Sequence, residues 1–365
     1  MPPKSLQGTS PSSFVRYRQP IALGIVVLLV LLGLLVWSWR ESPPTATVQP
    51  AHSYAQALEQ ARAGRPGAAR MLYQQLARVD LADEQRIELL AQLHNYPSPQ
   101  ALKLLDAHLS HTRPAVRQAA IEASVRLVNN SQRSLLLGPL LEDNDQAVRF
   151  AATNALLGLS PDDLGLYFGA LQHGVETFQD TLKSQPATAQ NQLQLARLYQ
   201  HTANLEPALV SLQRAISLDP DNLEAALTTI EVLDTKGQTD QARALFATLL
   251  QRHPDSALLQ HALGTWLLRH EQKEYALLSL ARASELAPQD NEYRYDLAVA
   301  LHDLDQLEAA QKQLIQILQS QPAHRKARVL LIQYWKENGQ LQNVQVLLAE
   351  LEQQNPDDPA LQQGL

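Results

Sequence analysis

Few residue types in this chain could do chemistry, and histidine supplies most of the candidates. His108 and His111 stand three apart in His-Leu-Ser-His, one turn apart on a helix end, where an i, i+3 pair can chelate a metal ion. Nothing at the same helical spacing completes a ligand set, so the pair reads as a solvated loop pair. His201, His261 and His302 could gather on one surface, where they would sense pH or meet a haem protein. The acidic turns Glu142–Asp145 and Pro356-Asp357-Asp358 lack the central glycine and terminal glutamate of a calcium loop, and read as helix caps. Cysteine is absent, which removes disulfides, thiolate metal sites, cysteine nucleophiles and covalently attached haem. There is no glycine-rich phosphate loop, no Gly-x-Ser-x-Gly elbow and no His-Glu-x-x-His. The expectation is a non-enzyme without cofactor or metal; a metal-dependent enzyme is the least favoured alternative.

The elements that would position such residues are helices. Pro186, Pro220, Pro254, Pro288, Pro322 and Pro356 recur every 34 residues, the sign of stacked helical hairpins. With each proline as position 32 of a unit, position 20 is Ala208, Ala242, Ala276, Ala310 and Val344, and position 24 is Leu212, Phe246, Leu280, Leu314 and Leu348. A small residue lets two helices approach and a bulky one fills the gap that remains. Positions 27 (Ala215, Leu249, Ala283, Ile317, Leu351) and 11 (Tyr199, Leu233, Leu267, Leu301, Trp335) are apolar or aromatic throughout. Each proline ends the second helix, and the aspartate that often follows (Asp221, Asp255, Asp357) is expected to cap the next unit.

On these residues the region resembles tetratricopeptide repeats: five units over about 189–356, with a degenerate unit before them that closes at Pro186 and includes Leu171 and Phe178. The family's position-4 aromatic is replaced by Gln192, Ala226, Gln260, Arg294 and Arg328, and its position-8 glycine survives only as Gly264. The resemblance implies an inner groove lined by the first helices, here Leu193, Arg197, His201, Leu227, Glu231, Asp234, His261, Thr265, Arg269, Tyr295, His302, Gln333 and Lys336. Positions 5 and 9 carry no Lys/Asn clamp for a terminal carboxylate, so the groove is expected to take an extended or helical protein segment. The last ridge, with Leu347, Leu348 and Leu351, lacks a full capping helix after it and is expected to be partly exposed to a partner or a second copy.

Upstream, Val116-Arg117-x-Ala119-Ala120 recurs as Val148-Arg149-x-Ala151-Ala152, 32 residues on, and resembles HEAT-type repeats. That resemblance implies packing by the valines and alanines, a carbonyl or acidic partner for the arginines, and a loop-aspartate role for Asp143 or Asp145. Weaker helices are read at Gly67–Arg78 and Asp83–Tyr96; an irregular helical domain is the alternative. HEAT-like helices leading into tetratricopeptide repeats also resemble the haem-free carboxy-terminal half of certain bacterial multihaem cytochromes c.

Ile21 to Trp39 is a run of 19 uncharged residues, nearly all apolar, which at about 1.5 Å per residue reaches across a bilayer core of about 30 Å. Trp37 and Trp39 suit the interface, and Lys4, Arg16 and Arg18 before the run place the short tail in the cytoplasm. A cleaved signal peptide is the alternative, set against the length of the run and the two tryptophans. The expected organisation is therefore a cytoplasmic tail (1–19), a transmembrane helix (20–39), a Pro-rich linker (40–51), HEAT-like repeats (52–160) and a tetratricopeptide array (161–365). Residues 1–40 hold four bases and no acid, so the remainder is more acidic than the chain's overall −7, at −11. No basic face for nucleic acid is visible.

The fold expected is all-α, a right-handed α-solenoid behind one transmembrane helix. The function expected is an interaction scaffold or assembly factor for client proteins, single-pass in a bacterial inner membrane with its bulk in the periplasm. By resemblance, it would serve cytochrome c or respiratory assembly. A structural subunit of a membrane electron-transfer complex is the alternative.

Overall fold

The structure, a computed structural model, describes residues 53–362. The predicted span at 20–39 and the linker at 40–51 lie outside the described residues. Among those described, no helix is long and apolar enough to cross a membrane, and there is no strand.

The amino-terminal half is built of short helices: α1 (Tyr54–Ala63), α2 (Ala68–Leu76), α3 (Asp83–Leu90), α4 (Pro99–Leu109), α5 (Pro114–Leu127), α6 (Asn130–Leu137), α7 (Gln146–Leu156), α8 (Pro161–Leu164) and α9 (Phe168–Ser184). The helix expected over Asp83–Tyr96 is broken, with α3 giving way to a 3-10 turn at Leu93–Asn95. Val116, Ala120, Val148 and Ala152 are buried. The arginines of the HEAT-like copies are tied as that resemblance implied. Arg117 donates to the His111 carbonyl and the Asp143 carboxylate (both 2.7 Å), and Arg149 donates to the Asp143 carbonyl at 2.6 Å. A third copy escaped the sequence reading. Arg86 in α3, 31 residues before Arg117, donates to the carbonyls of Leu76, Arg78 and Leu81, but no Val-x-x-Ala-Ala frame surrounds it.

The carboxy-terminal half consists of hairpins α10 (Ala189–His201) with α11 (Leu205–Leu218), α12 (Leu223–Thr235) with α13 (Thr239–Arg252), α14 (Ala257–Arg269) with α15 (Lys273–Leu286), α16 (Asn291–His302) with α17 (Leu307–Ser320), and α18 (Arg325–Glu337) with α19 (Leu341–Gln354). A short α20 (Pro359–Gln362) follows. Caps fall one residue later than expected. Thr188, Asn222, Ser256, Asp290, His324 and Asp358 accept from the first-turn amides, while Asp255 pairs with Arg282 instead. Each hairpin turn needs a left-handed residue at position 15, filled by Ala203, Gly237, Glu271, Asp305 and Gly339.

Alanine at position 20 is buried in every unit that has it, yet the closeness of each hairpin follows position 8. Helices are more closely apposed where that residue is Ala196, Gly264 or Ala298 than where it is Ile230 or Ile332. At Gly264 a Cβ would fall 2.6 Å from Leu280 Cγ. In the last two hairpins, polar side chains at position 4 bridge the two helices where the aromatic is missing: Arg294 donates to Gln316 at 2.6 Å, and the buried Arg328 pairs with Glu350.

The array closes on itself. The α1–α2 turn lies against the last hairpins: Gly67 N–H donates to the Gln353 carbonyl and Asn355 Nδ2 to the Pro97 carbonyl, both at 2.7 Å. Ala323 belongs to the amino-terminal core cluster. The last ridge differs in part from its expectation: Leu347 and Leu351 are buried, Leu347 within the core cluster of the last hairpins, while Leu348 is partly exposed against that cluster. Asp358, fully buried, receives Arg325 through Nε (2.6 Å) and Nη2 (2.7 Å) and caps α20.

Candidate protein-binding groove

The first helices of the hairpins, α10, α12, α14, α16 and α18, present most of the polar residues singled out above. The structure spends many of these on each other. Asp234 on α12 meets His270 after α14 at 2.8 Å; His261 on α14 meets Asp296 on α16 at 2.7 Å; His302 on α16 meets Glu337 on α18 at 2.7 Å. Arg197 pairs with Glu224 in the same manner between α10 and α12. These half-exposed pairs are each worth about 0–1 kcal/mol; what they fix is the register of one unit on the next. The hydrogen bond from His302 is the main cause that holds the Glu337 carboxyl below its ordinary value.

The three histidines expected to gather therefore lie at separate junctions. Among the described residues His201 has no carboxylate partner; burial lowers its pKa, and its Nε2 is buried without a hydrogen-bond partner among those residues. Leu193 is a correction: at 0% exposure it is sealed in the core of the first hairpin pair and presents nothing to a groove. Leu227 is half-buried against the next core cluster, Thr265 donates to the Ala262 carbonyl, and Glu231 and Arg269 are exposed. Lys336 is half-buried near the end of α18. His108 is buried rather than in a solvated loop: its Nε2 lies 3.0 Å from Arg86 Nη1, and its ring stacks on that of His111. Among the described residues no group of three histidine or acidic side chains is placed to hold a metal ion.

Two clefts bring candidates together. One, of about 980 Å³, joins Arg197 and His201 to Leu164, Phe168 and the α7 end of the amino-terminal half. The other, of about 710 Å³, holds Tyr295 and Gln333. Val329 and Leu330 line it together with Glu292, His324, Arg325 and Lys326 and with His94, Asn95 and Arg126 from the opposite end of the chain. Lys326 Nζ sits 3.9 Å from the Tyr295 ring centroid, a cation–π contact. Glu292 lies between His324 Nε2 (3.8 Å) and Lys326 Nζ (3.3 Å), and these partners, His324 first, bring its carboxyl down to about 2.

The sequence reading missed His94, Asn95, Arg126, Glu292 and His324. One signal existed for His324. It occupies the cap position where neighbouring units carry Asn222, Ser256 and Asp290, an unusual residue at a fixed place in the period. Nothing local marks the other side of the cleft, because closure alone carries it there.

Fold and site together define an α-helical repeat protein with HEAT-like and tetratricopeptide segments. A tetratricopeptide-repeat family model matches residues 204–265, and one for HEAT repeats matches residues 69–157. Among curated proteins, the chain is 25% identical over 181 residues to the uncharacterized protein y4yS of Sinorhizobium fredii, covering 42% of this chain and all of that one. It is 24% identical over 174 residues to the BBSome complex member bbs-4 of Caenorhabditis elegans, covering 48% of this chain but only 35% of that protein. Similar solved structures include YrrB, described as a TPR protein with an unusual peptide-binding site (24% identity, 52% of this chain and 98% of that one, TM-score 0.37). Yeast Tom70 is another (12% identity, 86% and 62%, TM-score 0.47).

Proposed function

We propose that this chain is a scaffold that binds segments of other proteins in the cleft holding Tyr295 and Gln333, without catalysis of its own. The observation that carries the reading is that cleft: about 710 Å³, lined both by apolar Val329 and Leu330 and by hydrogen-bonding and charged side chains. Apolar lining gives affinity and placed polar groups give orientation, a combination that suits a protein segment. Both repeat types matched in this chain generally serve as scaffolds rather than enzymes. In this reading Ile21–Trp39 anchors the chain in a bacterial inner membrane, with the repeats in the periplasm, and tethering raises their effective concentration toward membrane-bound clients. Assembly of cytochromes c or respiratory complexes is the specific role proposed.

A photo-crosslinking residue at Gln333 tests the groove in cells: one or a few defined adducts are expected, and their absence, with the same probe at exposed Glu231 giving an equal pattern, refutes it. A reporter active only in the periplasm, fused after Leu365, tests the location; silence there refutes it.

A further inference from the structure

We infer that the cleft between the HEAT-like helices and the last hairpins takes an extended peptide segment bearing side-chain carboxylates, and that Arg126 is the residue that pairs with them. The inference rests on the groove reading above and names the chemistry of its partner. An adjoining hollow of about 640 Å³ shares His94, Arg126, Glu292 and His324 with the cleft, so the two form one continuous trough suited to a chain rather than a small ion.

The charge inventory of the cleft points to an anion. Its one acid, Glu292, is engaged by Lys326 and His324, whereas Asp290 lines only the adjoining hollow, where it caps α16 through the Glu292 N–H and keeps its charge. Arg325 is held by Asp358. Arg126 remains, exposed and, among the described residues, with no hydrogen-bond or ion-pair partner. In a chain of 37 acids and 30 bases, an unopposed guanidinium lining a trough is a ready fork for a carboxylate.

One further group suits a peptide backbone: His94 Nδ1 lies 2.9 Å from the Ala91 carbonyl, which places the proton on Nδ1 and leaves Nε2 open. Tyr295, Val329 and Leu330 in the same lining offer apolar surface. An extended chain turns alternate side chains to opposite sides, so acids can meet Arg126 while apolar neighbours meet that surface.

The test selects peptides on the immobilised full chain from a phage-displayed random dodecapeptide library. The peptide carboxy termini are fused to the coat protein, so that only side chains supply carboxylates. Acidic sequences with intervening apolar residues are expected. The strongest of them, synthesised with an amidated end, should lose about tenfold or more in affinity when its acids become Gln and Asn, and as much against Arg126→Glu. Unchanged thermal unfolding of that variant establishes that it folds. Enriched peptides without acidic bias, or acidic peptides that bind Arg126→Glu equally well, overturn the inference and leave the groove reading standing. No enrichment, together with no adduct from Gln333, removes both.

Discussion

Closure of the array depends on a glycine whose replacement has a calculable cost. Gly64 has φ +58°, and a Cβ there would lie 2.8 Å from Ala323 N and the Pro322 carbonyl carbon, and 2.9 Å from the Pro322 oxygen. All three are backbone atoms, so no rotamer change relieves the contact. Gly64→Ala thus costs about 1–2 kcal/mol for the left-handed backbone and about 1–3 kcal/mol for overpacking, roughly 2–5 kcal/mol together. Gly67→Ala is the control. Its φ is +74° with nothing within 4 Å of the added carbon, so only the backbone cost of about 1–2 kcal/mol remains. Denaturant unfolding of the full chain, with hydrogen exchange at the Gly67 and Arg325 amides, measures both. These amides cross the closure to Gln353 and Asn95, and Gly64→Ala should accelerate their exchange far more than exchange inside α14 and α15. Equal destabilisation by the two variants, within about 0.5 kcal/mol, would refute the argument that closure bears on Gly64.

Other predictions follow from single positions. Ala203→Gly, Glu271→Gly and Asp305→Gly should each stabilise the protein by up to about 1 kcal/mol in thermal unfolding, because each residue holds a positive φ in a hairpin turn. Gly264→Ala should cost about 1–3 kcal/mol in the same assay, although alanine ordinarily favours a helix interior, because the new methyl meets Leu280 Cγ at 2.6 Å. Glu292 has a folded pKa near 2 against an ordinary 4.5, so its stabilisation is complete above about 4.5 and is lost as pH falls toward 2. Glu292→Gln should therefore be less stable than the parent near neutrality and converge with it as pH falls through 2, as read by denaturant midpoints across that range; a constant difference would contradict the assignment.

Much of the hairpin was legible because its determinants are local and repeat. Proline at position 32 terminates the second helix in each unit, and the alanines at position 20 sit in the core wherever they occur. The caps were misplaced by one residue. An aspartate beside the proline looks like a cap in sequence, but the first helix starts at the residue after position 34, where only a side chain at position 34 reaches the first-turn amides. Arg117 and Arg149 were readable by their shared frame, and Arg86 was not, since it binds upstream carbonyls without the frame. The groove was legible as a face and not as a site. Spacing finds the residues on the inner side of each first helix. It cannot tell that His261 would be held by Asp296 or that Leu193 would be sealed.

The sequence by itself determined the unit: helix lengths, breaks, small-against-large packing and the need for a left-handed turn, all governed by contacts within about 34 residues. Only the tertiary structure decided where the two ends of the array meet. That meeting sums the small rotations of every unit between them. Once the ends meet, contacts between residues more than 200 positions apart seat Asn355 on Pro97 and join Asn95 to Arg325, and Arg126 comes to line the cleft that holds Tyr295. No local pattern encodes these neighbours, because each occurs once and between segments that share no period.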